Sequence, residues 1–77
     1  MNKAKRELLG KIVSTLETAK DDLEQVLSDE QDYFDNVPEN LQNSDRYLQS
    51  EECISSMEEA VNSLDGMISD LSDISNS

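Results

Sequence analysis

Carboxylates are the reactive groups this chain holds in quantity: 18 Asp and Glu stand against 6 Lys and Arg, with no His and one Cys in 77 residues. In the second half their spacing is regular, with Glu51, Glu58 and Asp65 in one seven-residue column and Glu52, Glu59 and, nearly in step, Asp73 in another. Seven residues of α-helix advance about 10.5 Å, so these acids form an evenly spaced ladder along a helix. Carboxylates so arranged have three chemical uses: acid–base catalysis, divalent-metal ligation, or display of negative charge to a basic surface.

The first two uses find little support. Without His, a second Cys or a Ser in a strand–turn–helix elbow, the usual nucleophile and base pairs cannot be assembled. Two glycines are too few for a phosphate loop or a dinucleotide fingerprint. Helical bundles bind metals through acids that project inward, but Glu51, Glu52, Glu58 and Glu59 fall on outer heptad positions and only Glu30 points in. The sequence therefore predicts no enzyme, no catalytic residues, no cofactor and no metal. Cys53 reads as a small apolar side chain, since a free Cys is usually buried and inert and Glu51 and Glu52 oppose a reactive thiolate. Met57 and Met67 read as core filling.

The elements that position the acids are two apolar heptad runs. Leu9, Ile12, Leu16, Ala19, Leu23, Val26 and Tyr33 recur at alternating steps of three and four, with Glu30 the polar interruption. Tyr47, Ile54, Met57, Val61, Leu64, Ile68 and Leu71 do the same, interrupted at Ser50. Such a stripe must be covered by another helix. The prediction is an all-α, antiparallel two-helix coiled-coil hairpin, a single domain over 1–77.

Helix one is expected over about 2–35, a Pro-containing connection over 36–43, and helix two over about 44–72. Asn2 and Ser44 are the expected N-caps. Pro38 lacks an N–H and disfavours helix at Val37, leaving room for one short turn to Leu41. Folding back at this connection sets Leu9 against Leu71, Ile12 against Ile68, Leu16 against Leu64, Ala19 against Val61, Leu23 against Met57 and Val26 against Ile54. Glu30 then meets Ser50, which supports the register, because a polar group against an apolar layer would be buried unpaired. Tyr33 and Tyr47 close the stack, and Arg46 is expected to clamp the connection by pairing with Glu30, Asp35, Glu39 or Glu52.

Each helix has a further apolar column: Val13, Leu27 and Phe34, with Lys20 in the gap, and Cys53, Ala60, Met67 and Ile74. A two-helix seam leaves these uncovered, and so short a chain buries little of its surface alone. The simplest answer is a homodimer forming a four-helix bundle. In the simplest geometry the two columns flank opposite sides of the seam, and the spacing leaves open whether both meet one partner.

The net charge of −12 disfavours nucleic acid and anionic membrane as partners and favours a cationic protein surface. Lone Cys53 suits a reducing compartment, and Met1–Arg6 leads into an amphipathic run rather than a secretory or membrane-spanning one, so a cytoplasmic protein is expected.

The stretch Asp35-Asn36-Val37-Pro38-Glu39-Asn40-Leu41-Gln42, followed by Ser44, Arg46, Tyr47 and Glu51, resembles small acidic hairpin proteins of Gram-positive bacteria and their phages or prophages. The likeness continues through Met57, Glu58, Glu59, Ala60, Val61 and Leu64. It implies a helical hairpin in a mobile-element setting, where small acidic proteins are often inhibitors of host enzymes.

The resulting expectation is a non-enzymatic interaction protein that mimics phosphate charge. Its partner-binding residues are Glu51, Glu52, Glu58, Glu59, Asp21, Asp22, Glu24, Asp29 and Asp32, offered to a basic surface such as that of a host nuclease or DNA-binding protein. The plainer explanation of these acids is a solvated face that keeps a coiled coil soluble. Under the alternative, a structural or adaptor module binds its partner through Cys53, Ala60, Met67 and Ile74.

Overall fold

The computed structural model describes residues 1–77 and shows two long helices doubled back on one another. α1 spans Lys3–Asp35, a 3-10 turn spans Glu39–Leu41, and α2 spans Asp45–Ser75. The Cα envelope measures 59 × 14 × 13 Å, so the molecule is one hairpin two helices wide. No helix is long and apolar enough to cross a membrane.

Local chemistry sets the ends of the helices. Asn2 Oδ1 accepts the Lys5 N–H at 2.8 Å, and Ser44 Oγ accepts the Tyr47 N–H at 3.2 Å, so each N-terminus has a side-chain cap. α1 stops at Asn36, whose side-chain amide donates to the Asp32 carbonyl at 2.6 Å, two residues before Pro38. α2 runs to Ser75, beyond the end near residue 72 that the spacing predicts. The extension is held by α1: Ser75 Oγ donates to the Arg6 carbonyl at 3.2 Å, and Arg6 Nη1 donates to the Ser77 carbonyl at 2.7 Å.

The seam corrects the expected stripe on α1. Val13 is 8 % exposed whereas its neighbour Ile12 is 42 % exposed, and Val26 and Tyr33 are exposed with Ile12. The column facing α2 is Val13, Lys20, Leu27 and Phe34, beside Leu9, Leu16, Leu23 and Glu30. Accordingly Tyr47 is closed off by Phe34 instead of Tyr33, the rings stacking with centroids 4.3 Å apart.

Ile12, Ala19 and Val26 therefore do not face α2 as expected. The physical reason is Lys20, whose stem can lie along the seam while its ammonium leaves sideways to Asp65, so the column tolerates a lysine. In return Leu27, larger than Val26, and Phe34, which lacks the hydroxyl of Tyr33, are covered in their place.

On α2 the inward columns are as the heptad predicts. Tyr47, Ile54, Val61 and Ile68 alternate with Ser50, Met57, Leu64 and Leu71, all buried or half-buried. The polar layer is also as expected: Ser50 Oγ donates to Glu30 Oε1 at 2.6 Å, and no buried side-chain polar atom lacks a partner. Cys53 and Met67, in the column that a two-helix seam leaves uncovered, are exposed.

Candidate functional site

Heptad geometry assigns the two long sides of the hairpin. Next to the Leu9–Leu16–Leu23 column of α1 lies Ile12–Ala19–Val26–Tyr33, and next to the Ser50–Met57–Leu64 column of α2 lies Cys53–Ala60–Met67–Ile74. In an antiparallel pair these corresponding flanks fall on one side, and the remaining two flanks fall on the other.

Contacts agree with this assignment. Val26 and Cys53 line a single groove with Met57, and Glu30, Gln49, Glu52 and Ser56 border it. Farther toward the connection the Arg46 guanidinium lies over the Tyr33 ring, 5.0 Å from its centroid. Arg46 makes no ion pair, so it steadies this end by a cation–π contact rather than by the carboxylate clamp expected of it. Tyr33 and Arg46 also border a cleft with Val37, Pro38 and Leu41.

The side bearing Ile12, Ala19, Val26, Cys53, Ala60 and Met67 is apolar and exposed along most of the hairpin. Met67 is 46 % exposed and Val26 55 %, whereas only Val13 and Ile54 among the apolar residues are buried. A solvent-facing apolar strip of this length is characteristic of an interaction surface.

Acids dominate the opposite side. Glu17 and Glu24 of α1 share it with Glu51, Glu58 and Asp65 of α2, all exposed. Lys20 emerges among them, its ammonium paired with Asp65 and lying 3.5 Å from Glu24. The hydrogen bond that the Lys20 ammonium donates to Asp65 holds the Lys20 pKa above the ordinary lysine value of 10.5, and the charges of Asp65 and Glu24 add to this against partial desolvation. One cation is thus shared by two carboxylates.

The expected partner-binding acids are exposed but do not converge on one surface. Glu24, Glu51 and Glu58 share the acidic side. Glu52 borders the groove of Val26 and Cys53 on the apolar side, Glu59 lies on the back of α2, Asp21 and Asp32 on the back of α1, and Asp22 and Asp29 beyond the rim of the apolar side. Glu17 and Asp65 complete the acidic side and were not among the expected set. Their signal is their seven-residue step to Glu24 and from Glu58. The joint apolar strip was also missed, and the greater apolar character of Leu27 and Phe34 over Val26 and Tyr33 is the sequence feature that points to it.

No three or more Cys, Asp or Glu side chains are grouped so as to hold a metal ion. No protein-family model matches the chain, and neither a curated protein nor a solved structure matches it.

Proposed function

We propose that this chain is a non-enzymatic, cytoplasmic interaction protein that associates through its apolar side and displays its carboxylates to a basic protein surface. The observation that carries the reading is the chemical opposition of the two long sides: Ile12, Val26, Cys53 and Met67 on one, Glu24, Glu51 and Glu58 on the other. Covering the apolar strip with a second hairpin makes a four-helix bundle and leaves the acids outward. Charge displayed in this way speeds encounter with a cationic partner and makes it salt-sensitive. A host nuclease or another DNA-binding protein offers a surface of that kind, consistent with the mobile-element setting that the resemblance implies.

The experiment is capture from a bacterial lysate on immobilised protein, at rising salt and with the variant Glu24→Lys/Glu51→Lys/Glu58→Lys. Loss of capture in salt and in the variant, with helicity retained by circular dichroism, is the expected result. Capture that survives both contradicts the electrostatic mechanism. It favours instead the adaptor reading, supported by the exposure of the column Cys53, Ala60, Met67 and Ile74, in which that column seats a partner's helix.

A further inference from the structure

The net charge is not spread along the hairpin. Ala19 and Ala60 come level near its middle, because Val26 and Cys53 share a groove one heptad nearer the connection. On the connection side of that level, residues 21–59 hold thirteen acids and one base, Arg46; on the other side five acids balance five bases. All of the −12 therefore lies in one half of the rod.

We infer that a second copy of this chain covers the apolar side and lies head to tail. The inference rests on the reading of that side as an interface and adds its occupant and direction. A side-by-side pair with both connections at one end would set the two −12 halves against each other. Reversing one copy sets each strongly acidic half against a neutral half, which lowers the repulsion between charges held within a Debye length.

The pattern of side chains suits the reversed arrangement. The two-fold axis passes at Ala19 and Ala60, where small residues let the helices approach. One heptad away, Val26 comes level with Ile12 of the second copy, and Cys53 with Met67 of the second copy. At the ends, Lys5 comes level with the aspartates around Tyr33 of the second copy. A side 59 Å long and 14 Å wide offers roughly 800 Å², about what each partner contributes to a stable interface.

Disulfide trapping reads the direction. Cys53 lies seven residues from the axis, so the two Cys53 thiols of a head-to-tail pair are about 20 Å apart along the rod, and a disulfide needs Cα atoms within about 7 Å. The full-length protein is mixed with Cys53→Ser/Met67→Cys or, separately, with Cys53→Ser/Val26→Cys, then mildly oxidised and resolved on a non-reducing gel. Head-to-tail packing gives a covalent dimer in the first mixture at least tenfold above the second. The reverse preference establishes the side-by-side pair and overturns the direction while leaving the interface intact. Sedimentation of the unmodified protein at the 8.7 kDa chain mass, instead of twice that mass, overturns the second copy as occupant and with it the self-association on which the inference rests.

Discussion

The Phe34 ring stacks on the Tyr47 ring at 4.3 Å with an interplanar angle of 13°, while Tyr33, the adjacent residue, turns outward beneath Arg46. This pair fixes which column of α1 faces α2, and through the heptad it fixes which column is left to solvent.

A first expectation follows for the two aromatic neighbours. Phe34→Ala removes a half-buried ring and its stack on Tyr47, and should lower unfolding free energy by about 2–3 kcal/mol. Tyr33→Ala removes a cation–π contact and an exposed ring, and should cost less than about 1 kcal/mol. Urea unfolding followed by circular dichroism compares them, and an equal or inverted order contradicts the seam.

The Glu30–Ser50 layer makes a second test. Ser50 is 4 % exposed and its hydroxyl is 2.6 Å from Glu30, so Ser50→Ala leaves a half-buried carboxylate without its donor and should cost about 1–3 kcal/mol. Replacing both residues by Leu should recover the loss and add stability, because a matched apolar layer needs no polar partner. Failure of the double variant to exceed the single one would show that the two sites are not coupled.

Lys20 gives a pH test. Its pKa is raised in the folded chain by hydrogen bonding to Asp65, so the stabilisation is fully present below the ordinary lysine value of 10.5 and is lost as pH rises through the higher folded value. Lys20→Arg keeps its charge through this range. Thermal midpoints of the two proteins should run in parallel at neutral pH and diverge above pH 10.5, the native protein falling first. Parallel curves throughout would contradict a functioning Lys20–Asp65 pair.

The two helix glycines differ in surroundings but not in expected sign. A Cβ at Gly66 meets open space, and one at Gly10 meets only Ser75 Oγ at an ordinary 3.7 Å. Gly66→Ala should therefore raise stability by about 1 kcal/mol through helix propensity alone. Gly10→Ala should do nearly as well, and destabilisation at Gly66 would point to an interface on the back of α2.

The hairpin, its caps and the Glu30–Ser50 layer were legible in the sequence because polar exceptions and capping side chains have few ways to be satisfied. The choice between Ile12–Ala19–Val26 and Val13–Lys20–Leu27 was not legible from periodicity. Both columns lie beside Leu9, Leu16 and Leu23, and Lys20 argues against the correct one until its exit to Asp65 is seen. The error carried over to the site: with the wrong column inward, Cys53 and its column had no companion on α1, and the acids ranked ahead of that column as the binding surface. Glu59 shows the same limit, since any outer heptad position accepts a charge whether or not it faces the side that matters.

Sedimentation equilibrium of Met67→Glu beside Glu58→Lys tests the opposition of the two sides most directly. The account predicts that Met67→Glu dissociates to the 8.7 kDa chain while Glu58→Lys remains a dimer, since only the first places a charge within the apolar interface. A dimer that survives Met67→Glu but falls apart with Glu58→Lys would contradict it.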